Sequence, residues 1–112
     1  MPSESGIYIT MIKIVLTSTN ATHEFFWNGI LPWFKAGEGH GFSNDYTLAL
    51  GGTTTKDDID EGVGTNILNV YFRPDNGTYG SFIRIKTFSN SASYGVDSSK
   101  SKLTLLKISD IY

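Results

Sequence analysis

Residues 7–16, IYITMIKIVL, are apolar on both faces of an extended chain except at Thr10 and Lys13. The β-branched and aromatic content predicts a strand, covered on both sides for part of its length. Residues 17–20, TSTN, read as a turn. The short apolar run Phe25-Phe26-Trp27 then meets Asn28-Gly29, a dipeptide that favours tight turns. Residues 30–34 follow, with Pro32 removing a ladder donor, so this piece is expected at an edge or in a loop. Gly37, Gly39 and Gly41 mark a loop over residues 36–44.

Alternation resumes at residues 45–50, with Tyr46, Leu48 and Leu50 on one face and Thr47 and Ala49 on the other. Gly51-Gly52 is expected to end that strand, and residues 53–64 form a polar loop. Residues 66–72 are a further strand. Residues 73–77, RPDNG, are a turn in which Pro74 fixes φ and Asn76-Gly77 accepts positive φ. Residues 81–88 alternate Phe82, Arg84, Lys86 and Phe88 against Ile83, Ile85 and Thr87. A small-polar loop spans 89–101 and a last strand spans 102–108. No helix is expected; residues 57–63 alone could wind one turn, and Gly62 and Gly64 stop it. Six or seven strands separated by turns predict an all-β fold, a single-domain antiparallel β-sandwich or barrel over residues 1–112, with 1–6 flexible.

Composition narrows this picture. A chain of 112 residues with 39 % hydrophobic and 13 % aromatic residues has enough apolar mass for one core, not two. Charged residues are 18 % and the net charge is −2. The nine Lys and Arg are not clustered, so no nucleic-acid or direct anionic-membrane surface is expected. With no cysteine, disulfides, thiolate metal sites and Cys nucleophiles are excluded. The polar, acidic start does not read as a signal peptide, so the expected location is cytoplasmic, or outside the cell by a non-classical route. The sequons at Asn20 and Asn76 are expected to be coincidental.

Little catalytic chemistry is visible. His40 has Ser43 and Asp45 nearby in sequence, but triads assemble from distant segments, so His40 reads as a surface-loop residue. Asp57, Asp58, Asp60 and Glu61 are a weak calcium candidate, because their spacing does not follow the EF-hand loop. The Gly-x-Gly-x-Gly stretch precedes no helix and is no phosphate loop. The protein is therefore expected to be no enzyme and to need no cofactor. Trp27, Trp33, Phe34, His40, Phe42, Tyr79 and Tyr94 sit in or beside expected loops. Their rings are candidates for stacking on sugars, whose hydroxyls would bond the neighbouring Ser, Thr and Asn. Phe25, Phe26, Tyr46, Tyr71, Phe72, Phe82 and Phe88 are expected in the core.

Five segments in order resemble the fungal fruit-body lectins. They are Tyr8-Ile9-Thr10; Thr19-Asn20 before Phe25-Phe26; Trp33 before Ala36 and its Gly-rich loop; Leu48 to Gly51-Gly52-Thr53-Thr54; and Asp75-Asn76-Gly77 before Ser81-Phe82. The resemblance spans residues 8–94 and implies an actinoporin-like β-sandwich that binds galactose and N-acetylgalactosamine glycans. It also implies glycoproteins as partners, membranes reached only through glycoconjugates, and haemagglutination by a homo-oligomer. Ala36 and Asn90 match the family's sugar-site pattern, whereas Thr53, Thr54 and Ser89 stand where Ser, Gly and His are expected. The implied sugar-binding set is Ala36, Gly37, Thr53, Thr54, Ser89 and Asn90, with Trp33 and Tyr94 as stacking rings. The family's second sugar site has no counterpart here, and residues 56–64 lie outside its pattern. Residues 93–98, SYGVDS, are also similar to a segment of the fungal immunomodulatory proteins, although the β-rich start does not read as their dimerisation helix. Two other classes stay open: a membrane-active cytolysin of the same fold using Trp27, Trp33 and Phe34 at the lipid interface, and an interaction module without a small ligand.

Overall fold

A computed structural model describes residues 2–17, 22–38, 45–54, 67–74, 80–88 and 95–111, excepting the side chains of 53, 54, 67 and 86–88. Among the described residues seven strands make one antiparallel sheet: β1 (Gly6–Thr17), β2 (Thr22–Trp33), β3 (Tyr46–Thr54), β4 (Ile67–Arg73), β5 (Phe82–Phe88), β6 (Gly95–Val96) and β7 (Lys102–Ser109). The order is β5-β4-β3-β2-β1, and β6 and β7 both lie along the far side of β1. The first five strands are thus a meander, and the chain returns to pair its last strands with its first.

The sheet curls on itself. β2 and β1 are registered along their whole lengths, from Gly6 opposite Trp33 to Thr17 opposite Thr22. β3 is registered with β2 only at residues 23–26, opposite 51–54. Past that short stretch the two strands part, and the apolar faces of β1 and β2 close over those of β3, β4 and β5. Trp33 meets Phe72 edge-on with centroids 4.7 Å apart, and Tyr8, Ile12, Ile14, Phe25, Leu31, Leu48, Leu50, Leu68 and Val70 complete the core. At the opposite seam, β5 and β6–β7 leave an apolar cleft of about 330 Å³ between Ile83, Ile12, Ile14, Val96 and Leu103.

Several expectations change for local reasons. Asn28-Gly29 is no turn, because the unbroken ladder of β1 carries β2 through it. Gly29 instead makes room for the Trp27 indole; a Cβ there would sit 2.2 Å from the ring. Gly51-Gly52 does not end its strand. Both residues pair with β2, and a Cβ on Gly52 would lie 2.2 Å from the Glu24 carbonyl oxygen and 2.6 Å from the Phe25 ring. Pro32 falls within a strand, where β3 has already left β2 and one ladder is missing. Residues 89–101 are not wholly loop, since β6 pairs with Leu16 and Thr17.

β6 and β7 are separated by a tight polar turn. The Asp97 carbonyl accepts from Lys100 N–H, Ser101 N–H and the Ser101 hydroxyl, and its carboxylate accepts from Ser99 N–H and Oγ. The Ser99 hydroxyl holds the Asp97 carboxyl below its usual value. The turn stays registered on β1, because Val15 donates to Ser101 Oγ at 3.0 Å and accepts from Asp97 N–H at 2.8 Å.

Candidate functional site

A depression lined by charged and hydroxyl side chains lies at the sheet end where β1 starts and β7 stops. It encloses about 270 Å³ and is lined by Ser3, Glu4, Ser5, Lys35, Glu38, Lys107, Asp110 and Ile111. Three separate parts of the chain build it. The first is the approach to β1, where Tyr8 donates its hydroxyl to the Glu4 carbonyl and Lys35 N–H donates to Ser5 Oγ at 3.0 Å.

The second part is the end of β7. Its register with β1 shifts between Ile7 and Tyr8, so that Lys107 faces Tyr8 while Ser109 faces Ile7. Such a bulge bends a strand and re-aims a side chain. Gly6 leaves the Lys107 stem its path, since a Cβ there would lie 2.6 Å from Lys107 Cε. The Lys107 ammonium then donates to Glu4 Oε1 and, at 2.6 Å, lies against Asp110 Oδ1. Asp110, then Glu4, hold Lys107 protonated well above the usual lysine range, and Lys107 in turn holds the Asp110 carboxyl below the usual aspartate value. Burial, followed by the Glu4 charge, raises the Tyr8 phenol.

The third part is the segment after β2. Phe34 N–H donates to Ser81 Oγ at 2.8 Å and its carbonyl accepts from Ser81 N–H at 3.1 Å. Gly80, with φ +76°, lies so close beneath this segment that a Cβ would come 2.8 Å from the Phe34 carbonyl. Held this way, Ala36 and Gly37 are exposed between Lys35 and Glu38, whose charges lie 3.9 Å apart.

The five sugar-site candidates among the described residues are not gathered into one place. Ala36 and Gly37 flank this pocket. Thr53 and Thr54 are registered with Glu24 and His23 at the other end of β2, about 30 Å away at about 3.4 Å per strand residue. Trp33 is 1 % exposed and donates its indole N–H to Thr10 Oγ at 3.0 Å, so it offers no face to a sugar. It sits inside because β2 runs four residues past the break expected at Asn28-Gly29. Ser89, Asn90 and Tyr94 lie outside the described residues, as do the calcium candidates Asp57, Asp58, Asp60 and Glu61, and also His40, Phe42 and Tyr79.

The aromatics redistribute as well. Phe34 is fully buried and Trp27 packs against the core. Phe26, expected inside, is 48 % exposed, because it faces Lys13 on the outer side of the sheet. Tyr71 and Phe82 are half-buried on the outer side of β4–β5. There Tyr71 donates to Asp45, and Arg84 lies 5.8 Å from the Phe82 centroid. His23 is fully buried beside Phe25. The pocket residues Glu4, Lys107 and Asp110 carry no sequence signal, because only the pairing of the first strand with the last brings them together.

Comparison of the chain with protein-family models, with curated proteins and with solved structures finds no match.

Proposed function

We propose that the protein is a non-catalytic carbohydrate-binding protein, with its glycan contacts in the pocket formed by Glu4, Lys35, Glu38, Lys107 and Asp110 beside Ala36 and Gly37. The observation that carries this reading is a shallow recess in which carboxylates, ammonium groups and serine hydroxyls alternate. Sugars present vicinal hydroxyls that both donate and accept, and ionised carboxylates are strong acceptors for them. Asp110 is kept ionised by Lys107. That suits an acceptor and opposes the raised pKa that a general acid needs, which supports binding without hydrolysis. The sugar class in this reading is galactose or N-acetylgalactosamine, as the resemblance to the fruit-body lectins implies. The folded-over sheet would serve as the β-sandwich frame of that family. The cytolysin alternative loses its support, since Trp33 and Phe34 are buried and Trp27 is packed on the core.

A glycan array followed by calorimetry tests the reading. Asp110→Ala is expected to weaken glycan binding about tenfold, the equivalent of one charge-assisted hydrogen bond, with an unchanged circular dichroism spectrum. Failure of the wild-type chain to retain any glycan would reject the function. Binding that survives Asp110→Ala and disappears in Asn90→Ala would move the site away from this pocket.

A further inference from the structure

The outer side of β7-β1-β2 is apolar where a solvated sheet face should be polar. Leu106, Ile9 and Ile30 form one cross-strand row and are 58 %, 36 % and 61 % exposed. Met11, 43 % exposed, lies one pleat along in the row Thr104–Met11–Asn28, and Phe26 follows in the row Lys102–Lys13–Phe26. A shallow groove of about 190 Å³ runs between Met11, Phe26, Asn28, Lys102 and Thr104. The five apolar side chains expose about 500 Å² together, at the upper part of the range of about 300–600 Å² spanned by the largest apolar patch of a typical monomer, which is often functional.

We propose that this face is the docking surface for a second copy of the same chain, packed face to face about a two-fold axis. Area is the first argument. Two such patches bury about 1,000 Å² before any polar rim is counted, which reaches the floor for a specific interface. Charge is the second. Lys13 and Lys102 stand at one end of the face, with Lys13 3.5 Å from Glu24. Glu4 and Asp110, sharing Lys107, stand beyond its other end. A two-fold axis perpendicular to the strands lays β1 antiparallel across its copy and brings the lysine end of each chain toward the acidic end of the other. The alternative axis along the strands would stack lysine on lysine. A row of three aliphatic side chains over adjacent strands is the kind of contact by which sheets pack about 10 Å apart.

Sedimentation of the full chain at about 100 µM is expected to show a dimer, and Ile30→Lys or Leu106→Lys to weaken self-association at least about 100-fold while keeping the wild-type circular dichroism. The milder Ile30→Thr is expected to act in the same direction should the lysine variant unfold. A wild-type chain that sediments as a monomer, whatever else it binds, overturns the proposal. So does an oligomer that persists in folded Ile30→Lys, which would indicate pairing through free strand edges. Glycan binding is read separately: monomeric Ile30→Lys should keep single-site affinity and lose agglutination, whereas a chain that binds no glycan can still dimerise.

Discussion

The two outer faces of the sheet cover the same core and are built in opposite ways. Over β3, β4 and β5 the outward residues include Thr47, Ala49, Asn69, Tyr71, Arg73, Arg84 and the half-buried Phe82. Their polar groups engage one another, with Tyr71 donating to Asp45 and Arg73 lying 3.7 Å from the same carboxylate. Over β7, β1 and β2 the corresponding rows carry Leu106, Ile9, Ile30, Met11 and Phe26, with Thr104, Asn28, Lys13 and Lys102 beside them. Both faces alternate with buried positions as strands must, so alternation alone does not make an outer face polar. One face is finished for water. The other is apolar along its central row, Leu106–Ile9–Ile30, and the proposed docking of a second copy rests on that difference.

One core lies beneath both faces, and removing a side chain they share should have the largest effect. Trp33→Ala should lower stability by about 3–5 kcal/mol in a single denaturation transition. Two separate transitions would mean that the faces belong to independent units. Next in size is the buried bond that fixes that ring. Thr10→Val leaves the Trp33 N–H without its acceptor and should cost about 1–3 kcal/mol in the same measurement. Thr47→Lys places a charge on the face already finished for water. It should leave both midpoint and oligomeric state unchanged, and dissociation in this variant would erase the distinction drawn between the faces.

Two smaller effects concern ionisation. The hydrogen bond to Asp45 is the main cause that raises the Tyr71 phenol above 10.0. Asp45→Asn should return it toward that value, as read from the tyrosine carbon shifts in an NMR titration, with little change in stability because the pair is exposed. Acid sensitivity should arise away from the apolar face, at Asp97 and Asp110, whose carboxyls are lowered from 3.8 by Ser99 and Lys107. A carboxylate lowered on folding stabilises above its unfolded value and loses that contribution as pH falls through its folded value. Stability should therefore hold between neutral pH and about pH 4 and decline below. Asp97→Asn together with Asp110→Asn should flatten the decline.

The strands were legible wherever side chains decide them. The apolar run at residues 7–16 lies within β1, and the alternation expected at 45–50 lies within β3 except for Asp45. Turn chemistry misled where a long partner overrides it: Asn28-Gly29 is held straight by twelve residues of β1, and Gly51-Gly52 serve close approach to β2. Face assignment failed at Phe26 and Trp33 for a related reason. Reading a break at Gly29 severed the alternation that would have set Trp33 inward and Phe26 outward. The pocket was illegible in a deeper sense. Lys107 meets Glu4 across 103 residues of sequence through a bulge, and neither register nor bulge leaves a local mark.

The strand arrangement also has a kinetic side. β1 satisfies one edge with its immediate neighbour β2 and the other with β7, which follows the other six strands in sequence. The hairpin can close within microseconds, but the return of β7 must await nearly the whole sequence. Contacts of such high sequence separation slow folding, because their loop entropy is spent before they are rewarded. During synthesis, Ile9 and Met11 therefore sit beside an unpaired edge until residues 102–109 leave the ribosome. Lys13, on the same edge two residues beyond Met11, places a charge there, the kind of residue that discourages pairing between nascent chains.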